Sequence, residues 1–182
     1  MNMEDYRIGT LISEDELKAG IRKVADRINE EYKGKSVRLI CVLKGGVYFL
    51  TELSKYLTVD VSIDFMSVSS YGAGTSSSGI VKIIKDLDEP VEGINVIVVE
   101  DIIDSGNTLS YLMELLKARK PASIRLCTML DKPGRRVKPL ESDWSAFVIE
   151  DKFVVGYGLD YDQKHRNLPY IGEVIFNKKE NA

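Results

Sequence analysis

A chain of 182 residues with 44 % hydrophobic side chains has the size and apolar content of one domain with a real core, which excludes general disorder. Its 28 acidic residues against 25 basic ones, a net charge of −3, speak against a nucleic-acid partner, because binding a phosphate polymer normally requires a positive excess. Only Cys41 and Cys127 are present, each inside an apolar run, so a disulfide framework is excluded. The start MNMEDYRIGT has neither the basic region nor the apolar stretch of a secretory signal, no run approaches a membrane span, and a cytoplasmic location is expected.

In chain order, the first signal is a helix start. Ser13 is followed three residues later by Glu16, and Leu17, Ile21, Val24, Ala25 and Ile28 then recur at helical spacing, which predicts an amphipathic helix over about Glu14 to Tyr32. After the Gly34 break, Val37 to Leu43 is apolar except for Arg38 and reads as a strand buried on both faces; Gly45-Gly46 then opens a second helix reaching Leu57. Val59 to Val68 and Ile80 to Ile84 alternate as strands, and the GAGTSSSG between them reads as a mobile flap. Asn95 to Val99 predicts a strand, about Thr108 to Arg119 a helix stopped by Pro121, and Ile124 to Leu130 a further strand. Strands alternating with helices predict an α/β protein built on a parallel twisted sheet flanked by helices. Beyond it, Phe147 to Glu150 and Phe153 to Gly156 are short strand-like pieces, and the polar, aromatic tail reads as a cap over the core.

The segment VIVVEDIIDSGNTL, Val96 to Leu109, carries the chemistry. In an open parallel sheet ligands bind beyond the carboxyl ends of the strands, so Glu100 and Asp101 are delivered to that edge, where their oxygens suit ribose hydroxyls or a hydrated cation. Asp104, Ser105, Gly106, Asn107 and Thr108 then offer backbone N–H groups and two hydroxyls at a helix start, a seat for one phosphate. Asn107 stands before Thr108 where a nucleotide triphosphatase loop needs lysine, so that alternative has little support. The plainer reading of Asp104 is a helix cap. It weakens because three acids lie within five residues, and packed carboxylates repel unless a cation or donor offsets them.

These residues resemble the donor-binding motif of the type I phosphoribosyltransferases. Leu43-Lys44-Gly45-Gly46 is similar to that family's pyrophosphate loop, Ser70-Tyr71 to the start of its flap, and DKFVVGYGLDYDQKHRN to the base-binding hood of its hypoxanthine-guanine branch. The resemblance implies a single domain over 1–182, with a core of about residues 34–140 and a small hood formed by the N-terminal segment and about 141–182. It implies transfer of phosphoribosyl from phosphoribosyl diphosphate to N9 of a 6-oxopurine base with magnesium, in a homodimer or homotetramer, without nucleic acid or membrane.

By the same resemblance Asp104 to Thr108 hold the 5-phosphate, and Glu100 and Asp101 the ribose hydroxyls and a magnesium ion. Lys44, Gly45 and Arg166 meet the pyrophosphate; Lys132 donates to the purine 6-oxygen; Phe153 stacks on the base, the backbone of Val154 reads its edge, and Asp160 lies near a second magnesium. Asp104 is the expected catalytic residue, managing the proton on the imidazole ring. Taken singly, Lys132 reads as a solvated charge, Phe153 and Val154 as core strand residues, and Asp160, Asp162 and Arg166 as a surface ion-pair cluster; only the joint pattern favours ligand roles. His165, the sole histidine, lies in a polar stretch and receives no catalytic role, while Trp144 and Tyr157 read as packing residues. Three competitors remain: a regulatory protein that senses the donor and binds nucleic acid, a transferase for another base, and a phosphatase using the same loop.

Overall fold

The structure is a computed structural model that describes residues 6–70 and 81–177. Its elements are β1 (Tyr6–Ile12), α1 (Glu14–Glu31), β2 (Ser36–Leu43), α2 (Gly46–Tyr56), β3 (Asp60–Ser70), β4 (Val81–Lys85), β5 (Asn95–Ile103), α3 (Asn107–Lys117), β6 (Ser123–Asp131), a 3₁₀ turn at Pro133–Arg135, β7 (Trp144–Val148), β8 (Val154–Val155) and β9 (Ile171–Phe176).

A six-stranded sheet runs β4-β3-β2-β5-β6-β7. Strands β3, β2, β5, β6 and β7 are parallel, and β4 joins the edge antiparallel to β3, so the sheet is mostly parallel and mixed at one edge. The central strands are apolar on both faces because both are covered. Leu39, Cys41, Ile97, Val99, Cys127 and Met129 pack with Leu17, Ile21, Phe49 and Leu53 of α1 and α2. Ile40, Val42, Val96, Val98 and Leu126 pack with Leu109, Leu112 and Leu116 of α3.

Helix α1 begins with the expected capping box: the Ser13 Oγ accepts from the Glu16 N–H, and the Ser13 N–H donates to Glu16 Oε2 at 2.9 Å. Its buried face is the predicted set Leu17, Ile21, Val24, Ala25 and Ile28. The structure departs from the sequence reading at one boundary and in two strands. Strand β7 extends the central sheet through Cys127↔Trp144 and Leu130↔Phe147, so the hood does not begin near 141 but after β7. The hood is a second sheet, β1-β9-β8, in which Tyr6 to Ile12 pairs antiparallel with Ile171 to Phe176. Neither β1 nor β9 was anticipated, since each finds its partner some 160 residues away. Trp144 and Tyr157 are buried, as packing residues should be. Of the expected flap, Ser70 ends β3, and Tyr71 to Gly79 lie outside the described residues. No helix among the described residues is long and apolar enough to cross a membrane.

Ile97, fully buried on the central strand, tests the core: Ile97→Ala should cost about 2–5 kcal/mol through lost transfer energy and a cavity. Urea unfolding of the variant checks this, with an unchanged m-value expected.

Candidate active site

Strand β2 accompanies β5 only through the pairs Arg38↔Val96 to Cys41↔Val99, whereas β6 follows β5 on to Ile103↔Asp131. The last four residues of β5 therefore keep one strand neighbour and face, on the other side, the loop leaving β2. Glu100 and Asp101 lie in this stretch, inside the strand and not after it as the sequence suggested. Glu100 Oε2 is buried with no hydrogen-bond partner among the described residues. Burial, and then the adjacent Asp101 charge, push the Glu100 carboxyl well above the usual carboxylate range. Asp101 is only 9 % exposed, and its Oδ1 accepts from the Ile102 N–H at 2.7 Å. Burial raises it to about 6, against the opposing pull of that amide and of the Arg166 guanidinium. Cys41 beneath the pair is pushed up to about 12 by burial and the same acids, which makes it an inert packing thiol.

The Leu43–Lys44 peptide is cis. The loop after it passes Asp101 so closely that a Cβ on Gly45 would sit 1.5 Å from Asp101 Oδ2. Only glycine fits there.

After β5 the chain turns through Asp104 to Gly106 into α3, and the turn keeps its amides open. The N-cap is Gly106 at φ +79, with no side-chain cap; the one side-chain contact is a long 3.4 Å approach of the Asn107 N–H to Ser105 Oγ. Asp104 does not cap the helix. The turn is held by its carbonyls instead: Asp104 C=O accepts from Arg136 Nη1 at 2.7 Å, and Ser105 C=O from the Val137 and Lys138 amides at 2.9 and 3.2 Å. Glu100, Ile102 and Asp104 to Leu109 line one pocket of about 250 Å³ with Val42, Leu43 and Val68. A helix start with free amides, its dipole unopposed, is a natural anion seat.

On the far side stands the hood loop. Gly158, at φ +102, lies so near the 43–46 loop that a Cβ would fall 2.1 Å from Gly45 O. Arg166 Nη1 donates to Gly158 O at 2.7 Å and Nη2 pairs with Asp160 Oδ1 at 2.7 Å. Lys44 Nζ reaches Gln163 Oε1 at 3.2 Å. Asp160, Gln163 and Arg166 thus meet Lys44 across the cleft. Asp160 does not share a centre with Glu100 and Asp101: among the described residues no three His, Cys, Asp or Glu side chains group to hold a metal. Asp160 is instead committed to Arg166 and the Gln163 amide.

Lys132 is 7 % exposed, its N–H bonded to Ile103 O at 2.9 Å, so it is a buried cation at the β5–β6 end and not the solvated charge its basic neighbours suggested. Among the described residues its ammonium makes no hydrogen bond or ion pair. Phe153 is 46 % exposed and meets Tyr161 edge-on at 5.3 Å; Val154 is buried in β8 against Glu173. His165 shares a 2.7 Å hydrogen bond with the Tyr6 hydroxyl, tying β1 to the 156–166 loop of the hood, a structural task. Sequence reasoning missed three contributors: Arg135, whose Nε meets Asp104 Oδ1 at 3.2 Å, Arg136, and Gln163. The first two carried a signal, two adjacent arginines just past a strand end.

An uncapped helix start, two buried acids and a cation-bearing loop thus come together at the carboxyl edge of a covered sheet, the edge where α/β proteins bind their ligands. A family profile described as a phosphoribosyl transferase domain matches residues 12–162. The first relatives matched are bifunctional TilS/HprT proteins; that of Listeria monocytogenes is 55 % identical over 162 residues, and the chain spans 25 % of that longer protein. A hypoxanthine-guanine phosphoribosyltransferase of Streptococcus thermophilus is 47 % identical over 92 % of this chain and 95 % of its own, and a hypoxanthine phosphoribosyltransferase of Escherichia coli is 47 % identical over 93 % and 97 %. A solved hypoxanthine-guanine phosphoribosyltransferase of Bacillus anthracis superposes with a TM-score of 0.89 at 45 % identity, covering 93 % of this chain and 100 % of that one. The chain belongs to the hypoxanthine-guanine phosphoribosyltransferase family.

The buried acids make a pH prediction. An acid whose folded pKa is raised binds more protons folded than unfolded, so stability falls as pH rises from the unfolded value through the folded one. Glu100→Gln removes that loss: the variant should melt above the wild type at pH 7.5, and the gap should close as pH falls toward 4, read by calorimetry across the range.

Proposed function

We propose that the chain moves the 5-phosphoribosyl group from phosphoribosyl diphosphate to N9 of hypoxanthine or guanine, giving IMP or GMP and pyrophosphate. The observation that carries this reading is the uncapped amide turn of Asp104 to Thr108 directly beyond two buried acids, one with an orphaned oxygen. The turn receives the 5-phosphate. Glu100 and Asp101 receive the ribose hydroxyls and, as hard oxygen donors, are the residues that would hold a magnesium ion. When bound, that ion supplies positive charge against the departing pyrophosphate.

The bond from the anomeric carbon to the pyrophosphate oxygen breaks with its electron pair going to oxygen, and the N9 lone pair forms the new bond. Lys44 and Arg166 sit beside the Gly45 loop, where their charge lowers the cost of the growing negative charge. Asp104 takes the proton that leaves the imidazole ring. The Lys132 ammonium, buried and without a protein acceptor, donates to the 6-oxygen; facing an amino group it would be left unpaired, which selects oxopurines. Phe153 offers its exposed ring to the base. Two magnesium sites, with Asp160 near the second, a cytoplasmic location and a homodimeric or homotetrameric assembly belong to the same proposal.

A spectrophotometric assay of each purine with the donor, with and without magnesium, tests the reading. Magnesium-dependent formation of IMP and GMP with pyrophosphate is expected, and release of phosphate instead overturns it. Asp104→Asn should lower kcat by about 10²–10⁴-fold with donor affinity little changed; near-normal turnover would remove Asp104 from the mechanism. Lys132→Met should lower kcat/KM for hypoxanthine by about 10- to 100-fold, the worth of a charged hydrogen bond.

A further inference from the structure

We propose that Gln163 is a positioning residue for the leaving group, its carboxamide oxygen holding the Lys44 ammonium and the Arg166 guanidinium side by side before pyrophosphate is engaged. The inference rests on the proposed placement of pyrophosphate beside Lys44 and Arg166. Gln163 Oε1 lies 3.2 Å from Lys44 Nζ and 3.4 Å from Arg166 Nη2. Two cations sharing one oxygen repel each other, and a common acceptor offsets that repulsion and fixes their separation.

The orientation of the amide is settled by its surroundings. Nε2 faces Asp160 Oδ2 at 3.4 Å while Oε1 faces the two cations; the flipped amide would set donors against cations and an acceptor against a carboxylate. The backbone is fixed as well. The Gln163 N–H donates to Asp160 Oδ2 at 2.8 Å, and Asp160 Oδ1 takes Arg166, so one carboxylate aligns both partners. Gln163 holds φ +62 and Asp162 φ +50, a left-handed pair of non-glycine residues that persists only where surrounding contacts over-determine it.

A neutral acceptor is suited to this task. Its contacts to the cations are long, hence weak, and ionised phosphate oxygens make shorter and stronger ones. Pyrophosphate therefore displaces the amide easily and finds both cations already in place, their ordering cost reduced. A carboxylate at 163 would hold the same cations too firmly, and an aliphatic side chain would remove the acceptor they share, leaving Arg166 on Asp160 and Gly158 and Lys44 without this partner.

Titration calorimetry of magnesium pyrophosphate into the full chain tests the idea. Gln163→Leu should weaken pyrophosphate binding by about three- to tenfold, the worth of one neutral hydrogen bond, and Gln163→Glu by about ten- to a hundredfold through competition. The KM for phosphoribosyl diphosphate should rise in the same order. The kcat at saturating donor and the binding of GMP, which carries no pyrophosphate, should stay at wild-type values in both variants. Wild-type pyrophosphate affinity in both variants overturns the proposal, and so does a parallel loss of GMP binding, which would mark a merely distorted loop. Arg166→Met separates the two levels: if it too binds pyrophosphate normally, the leaving-group site itself is misplaced, whereas weakened binding there alone removes only Gln163.

Discussion

Two adjacent carboxyl groups at the end of β5 carry more negative charge than their surroundings balance. Glu100 Oε2 is buried without a partner, and Asp101 is held up by burial even with Arg166 nearby. Replacing such a pair by apolar residues would suit the fold better, since buried charge without full pairing destabilises. The surroundings are arranged around this imbalance. Strand β2 ends its pairing with β5 at Val99, which opens room for the 43–46 loop, and Gly45 passes Asp101 at a distance no side chain permits. The imbalance is left open on the side facing the cleft, and it is this feature on which the proposed donor site rests.

The hood depends on the same constraint. Its loop reaches the core where Gly158 lies against Gly45 O, and Arg166 brings its charge toward Asp101 while bonded to Gly158 O. Tyr157, Asp162, Gln163 and His165 all take positive φ, so much of the loop between Gly156 and Arg166 is backbone that L-residues disfavour. The contacts that fix it are local and polar: Asp160 with Gln163 and Arg166, Tyr161 with Lys164, and Tyr6 with His165. The loop is thus held by local polar contacts, one of them a backbone bridge, and not by core packing.

How much of this the sequence disclosed follows from how local each signal is. Helix α1 was legible in full because its capping box and its apolar spacing both lie within one segment. Strands β2, β5 and β6 were legible because burial on both faces writes a continuous apolar run. The acid pair and the turn after it were legible because a strand, two carboxylates and a Gly/Ser/Thr bend lie within fourteen residues, and the resemblance rested on them. Strands β1 and β9 were not, since half-exposed strands paired across almost the whole chain leave only a weak alternation in each. Strand β7 was assigned to the hood because its membership of the sheet is decided by β6, not by its own five residues. The pairing of Asp160 with Arg166 was legible only as one reading among others, because it depends on left-handed backbone that composition does not reveal.

The contrast between the starts of α1 and α3 shows which features serve stability and which serve binding. Helix α1 uses a complete capping box, a device worth about 1 kcal/mol. Helix α3 has Asp104, Ser105 and Thr108 within reach, the residue types that cap best, and uses only Ser105, whose Oγ accepts from the Asn107 N–H at a long 3.4 Å. Its turn is nevertheless anchored, by Arg136 on Asp104 C=O and by the Val137 and Lys138 amides on Ser105 C=O. All three contacts engage carbonyls, the groups an anion cannot use, and leave the N–H groups of these pocket-lining residues unengaged apart from the long Asn107–Ser105 approach. A segment stabilised only for its own sake would satisfy donors and acceptors alike. Here the acceptors are satisfied from the 133–140 segment while the donors stay largely open, so the 133–140 segment fixes the shape of the turn without occupying its amides.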